Sequence, residues 1–388
     1  MTKLADDVVL IAAADTHVDE HAWADRREIC GDSQAAFQWL VDLAVENDKP
    51  LALAGDVLER QSNEAAVAAF LRAQLARLTQ PLFFIQGQHD RQPRPWLSAL
   101  ADSPARVVWL AEAPLGQGYD CLQGLRIHGI DWSPTEELPA QLARVPAGTD
   151  LLLMHQVCDG FMGTIRLPEL SLAQVPHVPL LVVGDYHKQL VRRVTGASGQ
   201  ALTAISPGST NLRAINEPAE KYAICIQRDL SFFPIRIPSR PVLRTELPAE
   251  PLLDEFVEKI AVELETLAAR AVAAGLPPAI QKPLLHVRFN PAVPDAYRRI
   301  RQAVGDAAHL FTQTHVPGEL EVDPLVDAAE TAPTESPYAV ATEGALACLP
   351  ECVSEAADPV VFALCRRLLT ETDPQAVLAE VRQQYFGD

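Results

Sequence analysis

Nine side chains that can bind a metal or carry a proton fall at the ends of five apolar runs. "VVLIAAADTH" ends in Asp15 and His17, and "KPLALAGDVLE" contains Asp56. "QPLFFIQGQHD" ends in Gln88, His89 and Asp90, "TDLLLMHQ" carries His155, and "PLLVVGDYHK" carries Asp185 and His187. Asp15 and His17 share a face if extended geometry persists, because alternate residues of a strand point the same way. Glycine precedes Asp56, Gln88 and Asp185, which permits a sharp turn and close approach of backbone to a bound ion. Each signal alone is common in proteins. The ordered set of carboxylates and imidazoles is the ligand chemistry of a divalent metal site.

The elements that must position these residues are buried strands. Apolar runs of about four to eight residues alternate with helical segments such as "SQAAFQWLVDLAVEN" and "NEAAVAAFLRAQLARL", which predicts a layered α/β domain. In such sheets ligands gather beyond the carboxyl ends of the strands. "GLRIHGIDW" reads as a further strand, and "AICIQRDLSFFPIRI" as an antiparallel hairpin. The apolar face of "SQAAFQWLVDLAV" suits either packing on the sheet or contact with a second copy of the chain.

Composition bounds the class. The chain has 388 residues, 48% hydrophobic and 21% charged, as an ordinary soluble protein of two or three domains does. No stretch approaches the ~20 apolar residues of a membrane span. The N-terminus "MTKLADDVVL" puts acidic residues where a signal peptide has its apolar core. Seven scattered cysteines predict reduced thiols, and with them a cytoplasmic location. Cys348 and Cys352 are close, but no neighbouring pair completes a zinc site. The net charge of −19 is uneven: from Val316 to Asp388 there are 14 acidic and 3 basic residues. Arginines and lysines fall near the motifs instead, among them Arg60, Arg91, Lys188 and Arg213. The balance allows a phosphate-rich ligand at the metals and predicts no strong non-specific DNA affinity without a partner.

The motif series resembles that of the calcineurin-like metallophosphoesterases: D-x-H, G-D, G-N-H-D, a lone H, and G-H-x-H. The resemblance implies a layered α/β sandwich with two divalent metals. Asp15, His17 and His187 would hold one metal, Asp56 would bridge both, and Gln88, His155 and Asp185 would complete the second. His89 would be the catalytic histidine that is not a ligand, steadied by Asp90. Two metals ~3.5–4 Å apart can clamp a phosphodiester, generate a hydroxide and stabilise the leaving oxygen. A mixed nitrogen and oxygen shell suits manganese, with magnesium, iron or zinc as alternatives. Two positions depart from the family: Gln88 replaces asparagine and Asp185 replaces histidine. Oxygens of both ligate hard cations, so the departures bear on metal preference and rate.

The following segment, "AISPGSTNLRAINEPAEKYAICIQRDLSFFPIRIPSRP", resembles that of the SbcD-type double-strand-break repair nucleases. Its elements are the turn Pro207-Gly208-Ser209-Thr210, then Glu217, Lys221 and Ile237 to Pro241. The family's opening tyrosine is missing, with Ser206 beside the turn. Residues 1–242 therefore read as the nuclease domain. Residues 243–317 read helix, strand, helix, strand and resemble the small α+β capping domain that helps position DNA. The basic helix carrying Arg298, Arg299 and Arg301 presents either a phosphate contact or a solvated face. Residues 318–357 are acidic and rich in Pro, Ser, Thr and Ala, the composition of a flexible linker. Residues 358–388 read as two short amphipathic helices that need a surface to cover them. In the family this region docks on an SbcC-like SMC-family ATPase, and the protein commonly forms a homodimer. The expected function is a metal-dependent DNA exonuclease and endonuclease acting at ends, hairpins or single strands. The rival readings are a stand-alone metallophosphoesterase acting on a nucleotide or phosphoprotein, and a weakened scaffold that binds DNA ends.

Overall fold

Each apolar run becomes a strand, and its alternation divides the side chains between two cores. The computed structural model describes residues 2–21, 23, 26–60, 65–100, 107–112, 119–121, 124–161, 168–197, 199–247, 253–289 and 296–314. One sheet holds β1 (Val8–Ala13), β2 (Leu51–Ala54), β3 (Leu82–Ile85), β4 (Val107–Trp109), β11 (Lys221–Gln227) and β12 (Phe232–Ile237), in the order β12-β11-β1-β2-β3-β4. The other holds β5 (Tyr119–Cys121), β6 (Leu125–Ile130), β7 (Leu151–His155), β8 (Leu180–Gly184), β9 (Leu190–Thr195) and β10 (Ala201–Ser206), in the order β5-β6-β7-β8-β10-β9. β1 to β4 are parallel, as are β6, β7, β8 and β10. β11 and β12 form the expected antiparallel hairpin, with Cys225 opposite Phe233.

Ala12, Ala54, Ile85, Ile127, Leu153 and Val182 share one core between the sheets. Their neighbours Ile11, Leu53 and Phe84 point the other way, onto Phe37, Leu40 and Val41 of α1 (Asp32–Asn47), Leu71 and Leu75 of α2 (Ala65–Arg77) and Leu97 and Leu100 of α3 (Trp96–Leu100). The apolar face of α1 is thus covered by its own sheet. On the second sheet Leu152, Met154, Leu181 and Val183 pack with Leu138 and Leu142 of α4 (Leu138–Leu142). Strands covered on both faces read as unbroken apolar runs. Burying each such side chain contributes ~1.5–3 kcal/mol. A bulge between Val8 and Leu10 turns both Val9 and Leu10 into the core between the sheets.

A third sheet, of β13 (Val242–Glu246), β14 (Leu284–Phe289) and β15 (His309–Thr314), has its own core with α5 (Leu253–Ala273) and α6 (Ala296–Val304). Leu253, Ile260, Leu264 and Ala271 line one face of α5 at helical spacing. On α6, Arg299 pairs with Asp254 of α5. Arg240 ties this unit to the first sheet's helix layer. Its guanidinium makes a two-point ion pair with Asp32 (2.8 Å for both bonds) and donates to the carbonyls of Cys30, Ala279 and Lys282 (3.0, 2.9 and 2.9 Å).

Met1–Gln313 forms one unit and Thr314–Asp388 a second. The expected linker 318–357, helices 358–388, and Cys348 and Cys352 lie outside the described residues. Among the described residues Cys30, Cys158 and Cys225 are free thiols, and no helix is long and apolar enough to cross a membrane.

Candidate metal centre

The parallel strands of both sheets deliver their carboxyl ends to one place. Beyond β1 and β2 the two loops keep running side by side, with Asp15 N–H donating to Gly55 O (3.2 Å), His17 to Asp56 O (2.9 Å) and Val18 to Val57 O (2.8 Å). Asp15, His17, Asp56 and Asp185 have φ of 50°, 42°, 46° and 78°. They are four of the six described non-glycine residues in the left-handed region. Such backbone costs ~1–3 kcal/mol per residue and persists where the surroundings over-determine it, as at binding sites.

Three imidazoles converge with one nitrogen already committed. His155 Nδ1 lies 2.7 Å from Ala54 O, across from the other sheet. His187 Nδ1 lies 2.7 Å from Glu217 Oε1, and His17 Nδ1 faces Glu59 Oε2 at 2.8 Å as an ion pair without hydrogen-bond alignment. The three Nε2 atoms then face the centre, those of His17 and His187 3.4 Å apart. A ring with Nδ1 engaged by a carboxylate or carbonyl and Nε2 aimed inward is the usual posture of a metal-binding histidine. The glycines explain how the His155 ring fits. A Cβ on Gly55, from the first sheet, or on Gly184, from the second, would collide with that ring.

The carboxylates complete the arrangement. Asp15 and Asp56 are buried, and among the described residues the ion pairs they make are all with histidines. Asp15 Oδ1 lies 3.8 Å from Nε2 of both His155 and His187 and 4.0 Å from that of His17. Asp56 Oδ2 faces His155 at 3.3 Å and His17 at 3.8 Å. Three sets have ligand atoms within 4.8 Å of one another: His17, Glu59 and His89 at the rim, and two sets deeper in, Asp15, His17 and His187, and Asp15, Asp56 and His155. Asp15 is common to both deeper sets, and Asp56 faces a histidine of each. Burial raises the Asp15 carboxyl. Burial opposes protonation of His155, but the charges of Asp56, Asp15 and Asp185 prevail and push it up to about 10. These buried anions require a positive charge. The His155 proton supplies one, and a divalent cation can displace it, because His155 Nε2 and Gln88 Oε1 are buried without a hydrogen-bond partner. These groups can therefore hold a divalent metal ion.

The two residues that depart from the resembled pattern touch each other. Gln88 Nε2 donates to Asp185 Oδ1 at 2.6 Å, leaving its Oε1 as the unpartnered acceptor. The Asp185 N–H in turn lies 3.0 Å from Asp15 Oδ1. The amide N–H satisfies one carboxylate oxygen; an asparagine, one methylene shorter, has less reach. His89 sits at the rim, 41% exposed, with Nδ1 3.1 Å from Glu59 O. The steadying expected from Asp90 takes another form. Its carboxylate accepts from the N–H groups of Val57 (2.8 Å), Leu58 (3.3 Å) and Gly87 (2.7 Å), tying the loops after β2 and β3 together rather than touching the His89 ring. Burial and the nearby Asp56 charge push Asp90 up to about 7.

Sequence reasoning missed the groups that orient the histidines. Glu59 pairs with His17 and also with Arg213 (2.5 Å), yet nothing in "GDVLER" sets it apart from a surface glutamate. Glu217 and Lys221 were visible as part of a resembled segment, without a role. In the fold, buried Lys221 Nζ donates to Glu217 Oε2 and Ser209 Oγ, both at 2.8 Å. Burial works against ionised Glu217, but His187 and Lys221 hold it down at about 2. The Ser209-Thr210 turn sits directly on the metal loop, with Thr210 N–H 3.3 Å from Asp15 O. Glu217→Gln is expected to lower metal affinity by ~10–100-fold through His187 alone. Titration of metal-free protein with manganese measures it, and an unchanged affinity would remove Glu217 from the site.

No family model matches the chain, and no curated protein matches it.

Proposed function

We propose that this chain is a metal-dependent phosphodiesterase acting on DNA, the nuclease subunit of an SbcCD-like complex that cleaves at ends or hairpins. One observation carries the phosphodiesterase reading: three imidazoles with Nδ1 engaged turn Nε2 onto two buried carboxylates at the joint carboxyl edge of two sheets. The motif resemblance supplies the DNA substrate and the calcineurin-like sandwich. Asp15, His17 and His187 would hold one divalent ion, Gln88, His155 and Asp185 the other, and Asp56 both. The mixed nitrogen and oxygen donors favour manganese. When bound, such a pair polarises a phosphoryl group and provides a hydroxide at neutral pH.

The chain's own residues do the rest. The buried carboxylates fix the cations, and Glu59 and Glu217 orient the rings that hold them. His89 differs from the other three histidines in its exposure, with Nε2 3.9 Å from Asp56 Oδ2 at the edge of the centre. From there it can hold or deliver a proton at the leaving oxygen. The ATPase partner is proposed on the resemblance of residues 358–388, and co-purification with such an ATPase is its test.

Purified full-length protein is expected to digest linear DNA in manganese and to stop on chelation. His89→Ala is expected to keep its metal content and lose ~10²–10⁴-fold in rate, the usual share of a proton-transfer group. A metal-loaded protein that leaves DNA intact would defeat the nuclease reading and favour the end-binding scaffold.

A further inference from the structure

Beside the metal centre lies a concavity of about 460 Å³, within the ~300–1,000 Å³ range of small-ligand sites. Gln86, Arg91, Trp109, Asp131, Trp132 and Arg144 are among the residues that line it. It shares a wall with the metal centre, because Gln86 and Arg91 bracket the Gln88-His89-Asp90 loop. The wall is rigid. Asp131 accepts from the Gln86 N–H (2.7 Å) and from Trp109 Nε1 (3.0 Å), and Trp132 N–H donates to Gln86 O (2.8 Å). Gln86 also exchanges two bonds with the Gln92 backbone, at 2.9 and 2.8 Å, which fixes the loop that carries Arg91. The Arg91 guanidinium stands 5.4 Å from the centroid of the part-exposed Trp132 ring.

Charge in the cavity is balanced, Arg91 and Arg144 against Asp131 and Glu137. That balance disfavours a second phosphate and suits a neutral, flat group. The guanidinium lies over the indole ring, and the outer face of such a stacked pair is a surface on which an unpaired base can continue the stack. We propose that this cavity takes an unpaired nucleobase, stacked on Trp132 and Arg91, from the strand whose phosphate reaches the metal centre. The proposal rests on the phosphodiesterase reading above. It adds to it a contact with the base next to the cleaved bond.

The test is the affinity of manganese-loaded full-length protein for a phosphorothioate-linked thymidine hexamer and for the same strand without bases. The base-bearing strand is expected to bind about tenfold or more tighter, the scale of one base–aromatic stack. Trp132→Ala should bring the ratio close to one, Trp132→Phe should keep most of it, and Arg91→Ala, at an exposed position, should reduce it several-fold. If Trp132→Ala fails to fold, Trp132→Phe and Arg91→Ala carry the comparison. Equal affinities in the unaltered chain, or a ratio indifferent to Arg91 and Trp132, would overturn the proposal. The cleavage assay is separate: base discrimination without cleavage keeps the cavity and loses the nuclease, and cleavage without discrimination does the reverse.

Discussion

On the proposed two-metal nuclease reading, Asp56→Asn is expected to empty most of both metal positions and to lower DNA cleavage by about 10³-fold or more, beyond the ~10–100-fold of an outer-shell change. The substitution keeps shape and removes charge. Asparagine tolerates the left-handed φ of 46° at this position, so the loop should survive. Its carbonyl can still accept from the His89 N–H, as Asp56 Oδ1 does at 2.9 Å. The amide nitrogen then replaces Oδ2 where it faced His155 and His17 at 3.3 and 3.8 Å, and offers a donor where a cation needs an acceptor. His187→Ala, by contrast, should release mainly one ion, because its Nε2 belongs to the set with Asp15 and His17. Metal analysis of the two purified variants decides the matter. Two ions retained in Asp56→Asn would mean that the carboxylate bridges nothing.

Arg240→Met is expected to cost ~3–5 kcal/mol of stability, the scale for breaking a buried ion pair from one side. Arg240 and Asp32 are 2% and 6% exposed, so the loss leaves a carboxylate without water or a cation. Three carbonyls, of Cys30, Ala279 and Lys282, lose a donor as well. The same bonds join the first turn of α1 to the segment before β14, so loosening should be read first in residues 242–313. Thermal unfolding and hydrogen exchange measure both effects. The double variant Asp32→Leu with Arg240→Met should recover much of the loss, since exchanging both charges for apolar groups is often close to neutral. A single variant as stable as the parent would show that the pair contributes only packing.

Much of the site was legible because its signals are local. A strand covered on both faces must be apolar throughout, so the first polar residue after it marks the sheet's edge. That rule places Asp15, Asp56, His155 and Asp185 without knowing how the strands are ordered, whereas after β3 it points to Gln86, two positions before Gln88. The hairpin of β11 and β12, the 3.6-residue pattern of α5 and the strand-helix-strand run before residue 314 were legible for the same reason. Glycine ahead of Asp56 and Asp185 was informative too, although the reason proved to be room for the His155 ring as much as freedom of the turn.

The fold alone decided which atoms meet. Asp90, expected to steady His89, binds three backbone N–H groups, because two loops leave β2 and β3 in parallel and need an acceptor between them. Glu59 and Glu217 gained their roles only when the rings of His17 and His187 arrived beside them. Arg240 stood in a motif with no stated purpose until Asp32 faced it. Sequence by itself determined the residue types at each strand end, the alternation of helix and strand, and where the acidic charge lies. Tertiary structure decided that two sheets share one edge, that Gln88 and Asp185 bond to each other, and which nitrogen of each histidine faces the centre. The physical reason is range. Hydrophobic periodicity repeats within a few residues, whereas hydrogen-bond partners here lie 101, 170 and 208 residues apart and are chosen only when packing brings them together.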